Sequence, residues 1–399
     1  MTIENTELTR QFPALDTLRA VGAIAVVVTH VAFWAGAHGE PAPVGGLLAR
    51  LDVGVALFFV LSGFLLSRQW IVRSQHGAGP PAAAAYFRKR ALRIWPLYAV
   101  TVILALTFIE ANQHRGPRDW VVALLLADIY VTDTLPDGLT QMWSLATEVA
   151  FYAVLPLIML VMVPRGRPAG VARTCLVLLA MVALSVLWAV GVEDLVPGAS
   201  GRAVGQWLPA YLSWFAVGIG LAVLEVRRGA GVLTPRVAQR LEALAARPGA
   251  CWVVVLGLLL VASTPVAGPI MLVVPTATEA VTKNLLYAVI GGLVVFTGVF
   301  TETTGFRRVM TARAGRHLGH VSYGIFCIHL SVLHLIVHLT GYELFSGNML
   351  GLLALTLVAS TAAAEVLYRF VERPAMRIGG RGGRAAARPT ATPSENSTR

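Results

Sequence analysis

Ten apolar stretches recur along this chain, each long enough to cross a bilayer, and that pattern leaves few folds open. They run roughly over 12–34, 52–71, 92–109, 143–163, 172–192, 207–225, 250–268, 284–301, 319–339 and 348–371, and a crossing helix needs about 20 mostly apolar residues. Only 13% of the 399 residues are charged and 56% are hydrophobic, whereas soluble domains carry about a quarter charged residues. The predicted fold is an all-α polytopic membrane bundle of about ten transmembrane helices. Residues 1–11 read as a cytoplasmic N-terminus, 12–371 as the transmembrane domain and 372–399 as a cytoplasmic tail. That tail, rich in Gly, Arg, Ala and Ser after Ile378, is expected to be mostly disordered.

The basic residues orient the bundle. Arg68, Arg73, Arg88, Lys89, Arg90 and Arg93 cluster after the second stretch, Arg165, Arg167 and Arg173 after the fourth, and Arg227, Arg228, Arg236, Arg240 and Arg247 after the sixth. Arg307, Arg308, Arg313 and Arg316 follow the eighth. The intervening loops instead hold Glu40, Asp119, Asp133, Asp137, Glu193, Asp194, Glu279 and Glu343. Basic loops mark the cytoplasmic face, and the alternation is clean only if the short apolar run 120–131, which carries Asp128, does not cross. Ten crossings put both termini in the cytoplasm of a cell-membrane protein. The net charge of +11 is then an orientation signal, which removes nucleic acid as a partner. Glu4 and Glu7 make a poor signal-peptide start, and Cys175, Cys251 and Cys327 lie inside apolar runs without disulfide or metal spacing.

The first stretch carries Asp16, Arg19 and His30. Ionisable groups at membrane depth are costly and mark sites. Arg19 and His30, eleven residues apart, return to nearly the same helix face at ~100° per residue and stand ~16 Å apart along the axis. Asp16, three residues before Arg19, is a side-chain neighbour. Alternatively, Asp16 and Arg19 sit at the interface and His30 snorkels at the far end.

Other segments admit two readings each. Ser62-Gly63 in the second stretch is a small pair that permits close helix contact or a kink. Arg88, Lys89, Arg90 and Arg93, before Pro96, form either a positive-inside anchor or a phosphate clamp, since guanidinium forks match phosphate. Glu148 lies about a turn and a half inside the fourth stretch, where a carboxylate needs a buried partner. The late helix carries His329, and Glu365 with Arg369 forms an i, i+4 staple near the inner face.

Taken together, LDTLRAVGAIAVVVTH, GVALFFVLSGFLL, YFRKRALRIWPLY, WSLATEVAFY, SYGIFCIH and YRFVERP, in that order from residue 15 to 374, closely resemble the acyltransferase-3 family of integral membrane acyltransferases. The resemblance implies about ten spans and transfer of an acyl group to a hydroxyl, often of a sugar. It implies Arg19 and His30 as the essential pair, and matches Glu148 to the glutamate of the family's W-S-L-x-x-E segment and Arg93 to the arginine before its proline. Ala56 departs from the family, standing where many members carry aspartate in G-V-D-x-F-F; Asp52 is the nearby carboxylate. Many relatives carry an appended hydrolase-like domain, and this chain resembles the standalone members, some of which acylate macrolides or other secondary metabolites.

The implied chemistry is an O-acyl transfer from acyl-CoA, a donor co-substrate rather than a bound cofactor, to a sugar or a glycosylated metabolite such as a macrolide. No metal is expected. His30, Arg19 and Glu148 are the expected catalytic residues: His30 as general base, or as a nucleophile forming an acyl-histidine, and Arg19 holding the donor. Asp16, Ser62, Arg88, Arg90, Arg93, Ser144, Tyr323 and His329 are expected at the substrates, with Ser62 and Glu148 near His30. The alternatives are a cell-envelope glycan O-acetyltransferase and, in another class, a transporter or flippase whose path those charges line.

Overall fold

The computed structural model describes residues 7–132, 134–164, 168, 170–192, 204–270 and 273–385, and among them there is no strand. The main helices are α1 (Pro13–Trp34), α2 (Val53–Gln75), α3 (Ala83–Phe108), α4 (Pro117–Leu124), α5 (Asp128–Val131), α6 (Met142–Met162) and α7 (Val171–Leu187). They continue with α8 (Leu208–Gly229), α9 (Pro235–Ala245), α10 (Pro248–Ala262), α11 (Ala277–Phe300), α12 (Arg313–Thr340), α13 (Met349–Leu367) and α14 (Arg373–Ala385). Nine helices among the described residues are long and apolar enough to cross a membrane, and α9 with α10, bent by 79°, makes ten if taken as one span. The protein is a multi-pass all-α membrane bundle.

Two expectations change in detail. The stretch 250–268 is not one long helix: α10 ends at Ala262 and a short turn at Pro265–Ala267 follows, because Pro265 and Gly268 interrupt the run. The tail expected to be disordered after Ile378 continues as α14 to Ala385; residues 386–399, like Asp133, Arg165, Arg167, Glu193 and Asp194, lie outside the described residues. The run 120–131 forms α4 and α5, eight and four residues long. At 1.5 Å per residue neither spans more than about 12 Å.

Helix α1 sits among α2, α11, α12 and α13, which is how a span with three ionisable groups stays off the lipid. Close approach comes from glycine. A Cβ at Gly319 of α12 would stand 2.1 Å from the Asp16 carbonyl oxygen, so only glycine lets α12 press onto the start of α1. Ser322, Tyr323 and Phe326 follow Gly319 at i+3, i+4 and i+7, one helix face, and are thereby aimed at the Arg19 end of α1. Likewise a Cβ at Gly63 would meet the Phe215 carbonyl oxygen at 2.5 Å. Gly63 therefore serves α2–α8 packing, and its neighbour Ser62 is turned toward α6. Glu225 of α8 ties the Arg19 end of the bundle together, pairing with buried Arg68 at 2.7 Å and with Arg10 at 2.9 Å.

Candidate active site

A cavity of about 90 Å³ opens between α1, α2, α3, α6 and α12, and Arg19, Ser62, Arg90, Arg93, Glu148 and Tyr323 line it. Each cation or anion has a fixed setting. Arg19 Nη1 lies 3.4 Å from Asp16 Oδ1, the expected i, i+3 neighbour. Asp16 Oδ2 in turn faces Arg316 at 3.9 Å and His320 at 3.7 Å. Arg90 and Arg93 come from one face of α3, just before Pro96. Arg93 Nη1 contacts Met376 Sδ at 3.2 Å and stands 3.8 Å from Glu372 Oε1.

Glu148 is held by hydroxyls rather than by an arginine. Tyr152, one turn further along α6, donates to Oε1 at 2.6 Å, and Ser62 donates to the same oxygen. Among the described residues Oε2 takes no hydrogen bond, which leaves it for the cavity. A carboxylate oriented by two hydroxyls in a cavity lined by guanidinium groups is a fixed acceptor in a positive setting. Ser144 and Tyr323 also line the cavity, but both hydroxyls are committed to backbone: Ser144 to Gln141 O at 3.1 Å and Tyr323 to Ile94 O at 2.8 Å. Arg88 is not part of the lining; it is exposed and donates to Gly379 O of α14 at 3.2 Å.

His30 lies elsewhere. It is absent from the cavity lining, and Ser62 and Glu148, expected beside it, belong to the Arg19 end. The reason is axial: they occupy the level of Arg19, and the eleven-residue rise separates that level from His30. His30 Nδ1 meets His329 Nε2 at 3.1 Å. His329 is fully buried, and its Nδ1 faces two carbonyl oxygens, Phe326 O at 2.8 Å and Ile325 O at 3.1 Å. Carbonyls only accept, so His329 carries its proton on Nδ1 and presents a lone pair from Nε2. His30 must then donate from Nδ1, which leaves its own Nε2 as a lone pair. His329 thus stands behind His30, and it is the half-buried His30 that has an open edge.

Between the two levels sit Phe58 and Phe326, both lining the cavity, with ring centroids 5.8 Å apart and edge to face. Phe326 also reaches the His329 ring at 6.1 Å.

Asp52, the nearby carboxylate, is engaged by α11: its Oδ2 pairs with Lys283 at 2.7 Å and its Oδ1 accepts from Tyr287, while Ala56 is fully buried against α11. Glu365 and Arg369 pair at 2.5 Å and Glu365 also meets His317 at 3.0 Å, both cations being exposed. Three residues escaped the sequence reading. Tyr152 was legible as the i+4 neighbour of Glu148. Glu372 lay unremarked inside YRFVERP. His38 packs by the His30 end on the turn Ala37–Gly39, 3.5 Å from the Thr29 hydroxyl, where burial holds its imidazole below the usual histidine range.

A family model described as an acyltransferase domain matches residues 12–369. The chain is 28% identical to Acyltransferase MdmB of Streptomyces mycarofaciens over 422 aligned positions, covering 97% of this chain and 96% of that protein. It is 24% identical to Peptidoglycan O-acetyltransferase OatA of Listeria monocytogenes, over 92% of this chain and 56% of that protein. To O-acetyltransferase OatA of Staphylococcus aureus it is 26% identical over 45% of this chain and 29% of that protein. No solved structure matches. With its motifs in register along a helical membrane bundle, this chain belongs to the acyltransferase-3 family and is an enzyme that transfers acyl groups.

Proposed function

We propose that the enzyme moves a short acyl group from acyl-CoA to a hydroxyl of a sugar or glycosylated metabolite, with donor and acceptor entering from opposite faces. The carrying observation is the cavity that Arg19, Arg90 and Arg93 line together with Glu148. Its volume is about 90 Å³, room for the narrow pantetheine arm with the nucleotide of coenzyme A left at the mouth. Arg90 and Arg93 hold the donor's phosphates there, Arg19 meets the pantetheine arm, Glu148 Oε2 accepts from a donor amide, and the acyl end extends past Phe58 and Phe326 to the level of His30. His30 Nε2 takes the acceptor's hydroxyl proton as the oxygen bonds to the acyl carbon. The C–S bond then breaks, and the same proton passes to the departing thiolate.

The acceptor class rests on the family resemblance, which implies transfer to a hydroxyl, often of a sugar. Membranes containing the protein, given labelled acyl-CoA and either a macrolide or a cell-wall glycan, test this by mass spectrometry. Label on the macrolide supports it, and label on the glycan alone reassigns the acceptor. Arg90→Ala and Arg93→Ala should each raise the donor KM by about tenfold, as for a lost charged hydrogen bond, and leave the acceptor KM unchanged. A change in acceptor KM alone would return these arginines to an anchoring role.

The donor's cytoplasmic entry requires the cavity to face inward, and the tail with it. Ten crossings place both termini on one side, nine on opposite sides, so α9–α10 decides. Val253, Val254, Leu256, Leu260 and Val261 of α10 are exposed, as lipid-facing residues are, and basic α9 precedes it. Cysteine-accessibility labelling is expected to find Glu7 and Arg377 positions both shielded from an external reagent; labelling of one alone from outside refutes ten crossings, and labelling of both refutes the cytoplasmic orientation.

A further inference from the structure

Glu372 is the least comfortably placed charge in the bundle. It ends the π-helical turn Tyr368–Glu372, its side chain is fully enclosed, and among the described residues neither Oε1 nor Oε2 meets a hydrogen-bond donor. Enclosing a bare carboxylate is unfavourable unless a counter-charge compensates it, and π turns re-aim side chains, often at functional sites. The elements packed against this turn are α3, α13 and α14, carrying Arg88, Lys89, Arg90, Arg93, Glu365, Arg373 and Arg377. Of these, Arg93 alone reaches the carboxylate, at 3.8 Å, too far for a hydrogen bond. The charge of Arg19 also acts on it, and its own charge acts on Tyr323 and Cys327 of α12. No substrate touches it, because it is absent from the cavity lining. It acts through Arg93.

We infer that Glu372 is the built-in counter-charge of the donor site, holding Arg93 at the cavity while the site is empty and taking up a proton from water when an anionic donor binds. This deepens the donor reading given above and rests on it. Against Arg19, Arg90 and Arg93 stand the carboxylates of Asp16, Glu148 and Glu372, so the empty cavity already has its negative charge. Incoming phosphates add more, and in a low-dielectric setting one carboxylate must neutralise. Asp16 keeps Arg19, Arg316 and His320; Glu148 keeps two hydroxyl donors. Glu372 has no donor to lose. Donor affinity is therefore highest where Glu372 is already protonated and falls as pH rises, by up to about tenfold per pH unit.

Calorimetry of coenzyme A binding to the full-length protein, in paired buffers of different ionisation heat, counts the protons taken up. Wild type should take up about one more proton per coenzyme A than E372Q, since titration of the ligand's own phosphate is common to both. E372Q should bind with an affinity lacking the extra pH slope, and E372D should restore that slope. Coenzyme A binding that ignores Arg93→Ala would overturn the donor reading. Arg93-dependent binding with equal proton uptake in wild type and E372Q overturns this inference alone. Difference infrared spectra of the wild-type protein serve if E372Q does not fold: coenzyme A should produce a new protonated-carboxyl band, and its absence counts against the inference.

Discussion

Replacing His30 by alanine is expected to lower turnover by about 10² to 10⁴-fold, the range for loss of a general base, with normal abundance in the membrane. The expectation rests on proton bookkeeping rather than on proximity. Two carbonyls fix the His329 tautomer, His329 fixes that of His30, and the free lone pair ends up on His30 Nε2. The chain of assignments makes a second, sharper demand. His329→Gln can still offer an oxygen to the His30 Nδ1 proton and should retain much of the activity. His329→Leu cannot, and should depress kcat more than either KM. Full turnover in a folded His30→Ala protein, measured as labelled product per mole of enzyme, refutes the base assignment. Equal effects of the two His329 variants would refute the tautomer argument while sparing His30.

Glu148→Gln is the second large effect. The substitution preserves size and one carbonyl oxygen for Tyr152 and Ser62 but deletes the charge that shares the cavity with three arginines. A hydrogen bond to a charged group contributes about 1.5–3 kcal/mol, so kcat/KM for the donor should fall by roughly 10- to 150-fold. Membrane abundance should be normal, because among the described residues no arginine forms an ion pair with Glu148, which is held by Tyr152 and Ser62. Detergent-solubilised protein that elutes as aggregate would make the residue structural. A folded variant with unchanged kcat/KM would remove it from the site. Tyr152→Phe should reproduce part of the loss, since it removes one of the two donors to Oε1 without altering charge.

Much of this was legible from the chain. Length and polarity of the apolar runs gave the bundle, and the Asp16–Arg19 spacing gave a contact that the structure contains. What escaped depends on depth and on chain-distant partners. A helical wheel aligned Arg19 with His30 but said nothing of the helix that separates them from, or joins them to, other groups. Thus Glu148 and Ser62 were placed with His30, although helix packing sets them at the level of Arg19. His329 was expected at substrate and instead lies behind His30, because Gly319 fixes how α12 docks on α1. Glu372 offered no periodic signal at all: a π turn moves it off the face that 3.6-residue spacing assigns.

The Phe58–Phe326 pair carries a consequence for the cell rather than for the reaction. A site approached by water from both faces is one continuous water file away from being a leak, and an elementary charge crossing a membrane at 100 mV dissipates about 2.3 kcal/mol. Two edge-to-face rings at 5.8 Å interrupt that file between the guanidinium level and the imidazole level. An acyl group, apolar at its tail, slips past such a plug far more readily than a hydrated ion or a chain of waters. On the proposed reading, the same two rings would let the bundle pass an acyl group between compartments while keeping the membrane potential intact.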